Sequence, residues 1–509
     1  MDNQTQIEVA EVKQTEWFVR NHQQGDLRQK SIKGGVSTVG AQIVSFALNI
    51  GSTIFLARLL LPNDYGLVAM VTSFTGFVLM FKDLGFSQAI IQKDIINQEE
   101  VSMVFWLNVY ISILLGLLVL GMGPVLVSFY NEPRLMPITI AYASVAIMGG
   151  ISSQHSALLN RQMKFQVLSR ITMASSFVSL IAGLVLALNG FGYWAIVAIN
   201  VVSAFVQAVL LWLSCNWKPT LMRINKTIKS YVHFGAGVTG FNMVNYFSRN
   251  LDNILIGKYI GAGPLGLYSK AYQLLMLPIS QLRDPLNAVG TPAMSSLFSD
   301  PVKYRRYYTE YLFLLSFFSI PIVVFLFVCS KPIILLVLGP NWAEAASIFQ
   351  LLAITALIQP IASTRGMVLL TSGQSGRFFM WGVYNAVAVI IAFAIGVRWG
   401  IEGIAIAYAI SNYAILIPSL HYCYKNTSIK TSDFFSAATW PFLFSVAAGI
   451  LAWWASLYVS DYHLLLQIGV PFLIFAGVYV LGWLPFSTTR QRFKGIIDIA
   501  KSILKKGKN

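Results

Sequence analysis

The chain is 509 residues long, 56% hydrophobic, only 11% charged and formally +16 at neutral pH. An ordinary soluble chain is roughly a quarter charged, so water is excluded as the main solvent, and the basic excess points to a membrane surface or to nucleic acid depending on where Lys and Arg lie. Cys215, Cys329 and Cys423 lie far apart in sequence at or near the ends of apolar runs, with no metal-ligand spacing; they read as packing residues and imply no disulfide framework.

Residues 1–33 carry balanced charge and no apolar run, so they read as neither signal peptide nor spanning helix and are expected in the cytoplasm. Apolar runs of about 20 residues then recur, each long enough to cross a hydrocarbon core of roughly 30 Å as a helix. A helix is required there because it satisfies its own backbone groups. Residues 34–215 are predicted to form a first lobe, with spans at 37–60, 65–84, 101–129, 136–153, 171–188 and 193–213. A basic linker, 216–230, leads to a second lobe over 231–424, with spans at 231–258, 265–286, 307–327, 345–370, 378–397 and 404–424. Residues 425–485 add spans at 434–458 and 464–485, and residues 486–509 are a basic tail. The predicted fold class is an all-α polytopic membrane protein of about 14 transmembrane helices. Residues 333–338, after Pro332, read as an extension of the ninth span or as a short re-entrant piece.

With the N-terminus inside, the inner loops hold Arg161, Lys164 and Arg170, then Lys218, Arg223, Lys226 and Lys229, then Lys303, Arg305 and Arg306, then Lys425 and Lys430. The outer loops hold little beyond Glu132 with Arg134, Arg398 with Glu402, and Asp461. This positive-inside asymmetry predicts an even number of spans with both termini cytoplasmic. The basic tail reads as a headgroup-facing segment, and no fold is present that would offer it to nucleic acid.

Residues 249–268, RNLDNILIGKYIGAGPLGLY, echo an earlier stretch at an offset of about 200 residues, a sign of internal duplication. Ile54, Arg58, Gly66 and Leu67 fall opposite Ile254, Lys258, Gly266 and Leu267. Asn189-Gly190-Phe191 matches Trp399-Gly400-Ile401, and Asn131 matches Asn341. The repeat predicts two lobes of about six helices each, related by a pseudo-two-fold along the membrane normal, with the substrate path at their interface and the last helix pair added outside it. The charges are not repeated, since Asn49 and Ser52 stand where Arg249 and Asp252 stand.

Two G-x-G-x-x-G matches, beginning at Gly235 and Gly261, lack the strand and soluble βαβ unit a dinucleotide site needs. The first reads as small-residue helix packing and the second as turn chemistry. No phosphate-binding loop, Cys-His cluster or hydrolase elbow occurs in the sequence, so no cofactor is expected. The isolated histidines read as interfacial, with His233 alone worth following.

Ionisable residues within spans are the informative set, because burying a charge at bilayer depth costs at least about 2.5 to 3.5 kcal/mol. Arg249 and Asp252 lie one turn apart and either neutralise each other or line an aqueous cavity, Arg249 facing an anionic substrate and Asp252 positioning it or binding a coupling ion. Lys270 lies too deep in its span for a surface lysine. Arg283, beside Asp284, and Arg58, opposite Lys258, serve either the cavity or headgroup snorkelling. Arg365 reads as a positive-inside residue at the inner end of span ten.

Taken together, Ala57-Arg58-Leu59-Leu60, Asp64-Tyr65-Gly66, Asp83-Leu84-Gly85-Phe86, Leu251-Asp252-Asn253 and Leu265-Gly266-Leu267-Tyr268 resemble the Wzx-type flippases. These belong to the polysaccharide transport branch of the multidrug, oligosaccharidyl-lipid and polysaccharide exporter superfamily. The resemblance spans nearly all of residues 30 to 485. It implies that spans one, two, seven and eight line a central cavity, and that an undecaprenyl-diphosphate-linked oligosaccharide is turned across the bacterial inner membrane by alternating access. It implies a proton or sodium gradient as driving force, and a polysaccharide polymerase and export machinery as downstream partners. Carried onto this chain, it points to Arg249 and Lys270, then Arg58 and Arg283, for the diphosphate, with Asp252 and Asn253 for coupling or positioning.

A multidrug exporter of the same superfamily is the nearest alternative, but its cavity should show unpaired carboxylates, whereas Arg and Lys outnumber Asp and Glu in spans seven and eight. A membrane polysaccharide polymerase or ligase is the alternative among enzymes. It would need a large catalytic outer loop, and every outer loop here is short.

Overall fold

The structure, a computed structural model, describes residues 17–18, 44, 46–81, 86–93, 95–221, 246, 250–487 and 489–495. Helices make up nearly all of them, and no strand occurs among the described residues. Eight helical runs there are long and apolar enough to cross a membrane, or nine with the pair Ala345–Ala356 and Gln359–Thr371, which meet at 40°. One run, Ser375–Tyr424, amounts to two spans: the chain reverses through a tight turn at Val397–Trp399, and a Cβ on Gly403 would fall 2.4 Å from the Gly396 carbonyl oxygen. The expected count of about 14 also draws on residues 19–43 and 222–245, which lie outside the described set.

The chain divides into two compact units, residues 1–266 and 267–509. In the first, α1 (Phe46–Leu59) and α2 (Pro62–Leu79) precede the short α3 (Phe86–Gln92). Then follow α4 (Gln98–Tyr130), α5 (Leu135–Arg161), α6 (Phe165–Leu188) and α7 (Trp194–Ser214). Helix α8, residues 250–259, leads through Gly261, at φ +114°, into α9 (Ala262–Leu297). The antiparallel pairs α4/α5 and α6/α7 are joined through α5 and α7.

Local chemistry sets these boundaries. Asn97 caps α4 by accepting the Glu100 N–H at 2.8 Å, and Asn131, left-handed at φ 55°, ends it. Pro62 opens α2, where the Asp64 carboxylate accepts the Leu61 N–H at 3.0 Å. At the end of the unit that carries the Arg161–Lys164 loop, Phe86, Ile90, Phe105, Leu158 and Trp217 share one core. There the buried Arg161 donates to the Ile90 carbonyl at 2.8 Å, filling an acceptor that the short α3 leaves open. Trp17 docks at the same end: Gln162 Nε2 donates to its carbonyl at 3.2 Å, and Lys164 Nζ lies 4.2 Å from its ring centre.

In the second unit, α10 (Pro301–Val328) starts at an Asp300 cap that accepts the Val302 and Lys303 N–H groups. Residues 333–338 belong mostly to a separate helix, α11 (Ser330–Val337). The expected single span over 345–370 is broken into α12 (Ala345–Ala356), α13 (Gln359–Ala362) and α14 (Thr364–Thr371), with Pro360 in the first turn of α13, just after the first break. Helices α15 (Ser375–Gly396), α16 (Gly400–Tyr424), α17 (Thr431–Tyr458) and α18 (Leu464–Gly482) complete the unit. Phe317, Ala448, Phe475, Tyr479 and Trp483 bind α17 and α18 to α10 through one aromatic cluster.

Candidate functional site

The most constrained contact in the first unit lies where α2 and α9 begin. A Cβ on Gly66 would fall 1.7 Å from the Ala262 carbonyl oxygen, and one on Gly266 would fall 1.8 Å from the Pro62 carbonyl oxygen. The two backbones therefore touch reciprocally at positions that the repeat places opposite each other. Only glycine permits this approach.

Around it, the sequence-derived candidates take distinct environments. Asp252 is buried on α8, and its Oδ1 accepts the Asn253 backbone N–H at 2.8 Å. Arg249 lies outside the described residues, as do His233 and the first glycine motif. Lys258 donates to the Phe129 carbonyl, and its ammonium sits 4.8 Å from that residue's ring centre, so it caps the end of α4. Arg58, its repeat counterpart, is exposed near the end of α1. Beyond the spans, Arg134 grips Glu132 with two hydrogen bonds of 2.8 Å, which hold the glutamate carboxyl below its ordinary range.

In the second unit, Lys270 is partly buried on α9, and its Nζ donates to Gln273 Oε1 at 2.9 Å. Arg283, further along the same helix, pairs with Asp284 at 2.8 Å. At a rise of about 1.5 Å per residue the two cations stand roughly 20 Å apart. One diphosphate can therefore meet only one of them at a time.

Two polar features of this unit escaped the reading of the sequence. Arg365 is buried: it donates to the Ala362 carbonyl and to Ser419 Oγ, and lies 4.9 Å from the Trp381 ring centre. Gln359, at the break before α13, donates at 3.3 Å to the hydroxyls of both Tyr272 and Tyr408, tying the kink to α9 and α16. Neither was visible as a motif, because the partners come from helices distant in sequence. A groove of about 420 Å³ lies among α10, α12 and α17, lined by apolar groups that include Val324, Phe327, Ile354, Val446 and Trp453. All three cysteines are buried thiols, and no cluster able to hold a metal occurs among the described residues.

The profile of a family described as "Polysaccharide biosynthesis protein" matches residues 55–347. The chain is 27% identical over 453 residues to the teichuronic acid biosynthesis protein TuaB of Bacillus subtilis, covering 86% of this chain and 89% of that one. It is 24% identical over 407 residues to the lipopolysaccharide biosynthesis protein WzxC of Escherichia coli, covering 77% and 82% respectively. Among solved structures, the inward closed conformation of the lipid II flippase MurJ superposes with a TM-score of 0.71 over 88% of this chain and 98% of that one. At 16% identity this is a likeness of fold.

Proposed function

Because the chain belongs to the polysaccharide biosynthesis protein family, we propose that it is a flippase for a lipid-linked glycan. It turns an undecaprenyl-diphosphate-linked oligosaccharide from the cytoplasmic to the periplasmic leaflet of the bacterial inner membrane. The observation that carries this reading is that relatives named for teichuronic acid and lipopolysaccharide biosynthesis align along most of their length with this chain. The chemistry of the helices supports it. A diphosphate-linked lipid needs a cation at bilayer depth; Lys270 on α9 offers one, and the sequence adds Arg249 as an expected second. Its hydrocarbon chain needs an apolar groove, and one lies among α10, α12 and α17.

The cycle runs by alternating access on a proton or sodium gradient, with Asp252 and Asn253 in coupling or positioning. Arg58 and Arg283 act behind the two leading cations. Both termini face the cytoplasm, and a polysaccharide polymerase and export machinery consume the product.

The test is the fate of the lipid-linked intermediate in a host deleted for this chain. Loss of a flippase leaves the complete repeat unit in the cytoplasmic leaflet, and the wild-type chain restores polymer while Arg249→Ala, at equal membrane level, does not. Accumulation in the periplasmic leaflet would instead mark a polymerase. Altered sensitivity to cationic drugs with normal polymer would mark a multidrug exporter.

A further inference from the structure

A second cavity, of about 370 Å³, lies inside the first unit, among α1, α5, α6 and α7. Its size exceeds the roughly 300 Å³ at which small-molecule sites begin. Among the described residues its lining is polar but carries no ionisable group: Asn49 and Ser52 come from α1, Ser176 from α6, and Asn200, Ser203 and Gln207 from α7. On α7 these three repeat at helical spacing along one face. They also occupy the middle of a span of 21 residues, with Asn200 and Gln207 exposed.

Exposed amides at mid-span are poorly solvated by hydrocarbon, so they must face water or a polar ligand. The chemistry of the wall then narrows the ligand. Among the described residues of the wall there is no Lys or Arg for a phosphate and no carboxylate for a cation or a coupling proton. Serine hydroxyls and primary amides both donate and accept, the pattern that complements the hydroxyl groups of a neutral sugar. Asn200 is already held: its Nδ2 donates to the Ile196 carbonyl at 2.9 Å, and an amide so engaged keeps its Oδ1 as an acceptor suited to a hydroxyl. The wall also includes Asn49 and Ser52, the repeat counterparts of Arg249 and Asp252. The same repeat position is thus neutral in the first copy of the repeat and ionic in the second.

We propose that this pocket is a subsite for uncharged sugar rings of the transported glycan, so that the first unit reads the oligosaccharide. This rests on the flippase reading and adds to it where part of the substrate binds. A single ring engages it weakly, and a longer neutral oligosaccharide fills it.

The experiment uses the full chain in proteoliposomes with two probes. One is the host's own lipid-linked repeat unit; the other is the same lipid trimmed to its first sugar. For Asn200→Leu and for Ser203→Ala, transport of the complete unit should fall about tenfold, the loss expected from one or two neutral hydrogen bonds, while transport of the trimmed lipid stays at the wild-type rate. Unchanged transport of both probes, or an equal loss on both, would overturn the subsite. If the wild-type chain moved neither probe, the flippase reading itself would fall.

An independent arm follows maleimide labelling of Ser203→Cys. A soluble neutral oligosaccharide should protect this thiol, whereas inorganic diphosphate and sodium chloride should not. Protection by sodium or diphosphate, or no labelling at all, would show an ion site or a dry pocket and overturn the proposal.

Discussion

Gly66 and Gly266 each press against the backbone of the other's helix, through the carbonyl oxygens of Ala262 and Pro62 at 1.7 and 1.8 Å from an added Cβ. Replacing glycine by alanine inside a helix ordinarily gains about 1 kcal/mol of propensity. Here the added methyl meets a carbonyl that belongs to a packed helix start, so overpacking of about 1–3 kcal/mol or more wins. Gly66→Ala and Gly266→Ala should each lower the thermal stability of the purified protein. Gly263→Ala is the control, since nothing lies within 4 Å of its Cβ, and it should be neutral or slightly stabilising. Equal behaviour of Gly66→Ala and Gly263→Ala in a melting experiment would show that the contact is not held in solution.

Lys258 separates snorkelling from structure. Its ammonium donates to the Phe129 carbonyl in the last turn of α4, one of the acceptors a helix end leaves open. Lys258→Met keeps the stem and removes the donor, and should lower the melting temperature by the equivalent of about 1–3 kcal/mol. If Lys258 only reached for lipid headgroups, the melting temperature would not move.

The Glu132–Arg134 clasp should give a pH signature. The arginine hydrogen bonds hold the glutamate carboxyl below its ordinary value in the folded protein. A group with a depressed folded pKa stabilises above its unfolded pKa, and that contribution is lost as pH falls through the folded value. Wild type should therefore melt slightly above Glu132→Gln at neutral pH, and the gap should close in acid. Arg134 is exposed and Glu132 partly so, so the gap should also shrink with added salt. A gap that is constant with pH would assign the effect to packing.

Most helices were legible in the sequence because an apolar run of about 20 residues has one backbone solution in hydrocarbon. Asn97, Asp300 and Pro62 set helix starts at 98, 301 and 62, three to six residues ahead of the expected span starts at 101, 307 and 65, because capping chemistry rather than hydropathy fixes where the helix begins. The break between α12 and α13 was not legible, since hydropathy continues across it and the bend depends on Gln359 reaching Tyr272 and Tyr408. The burial of Arg365 was not legible for a similar reason: Trp381 and Ser419, which shelter it, come from later helices. The neutral pocket left a readable trace in Asn200, Ser203 and Gln207, at one-turn spacing in an otherwise apolar span. Attention to ionisable residues alone passes over it.

Lys270 and Arg283 share α9 but should not share a role. Arg283 is held by Asp284 at 2.8 Å, a pairing that a diphosphate would have to compete with, whereas the Lys270 ammonium donates to Gln273 Oε1 at 2.9 Å. A charge-assisted hydrogen bond to phosphate is worth about 1.5–3 kcal/mol, or roughly ten- to hundredfold in affinity. Lys270→Gln should therefore slow transport of the lipid-linked repeat unit by about that factor at unchanged membrane level, and Lys270→Arg should retain part of it. Arg283→Gln should have a several-fold smaller effect. With the two cations roughly 20 Å apart along the helix, the reverse ranking would move the diphosphate to the Arg283 end of α9. Equal and large losses in both would require the diphosphate to visit the two cations in succession, a relay that single-turnover transport would reveal as two phases.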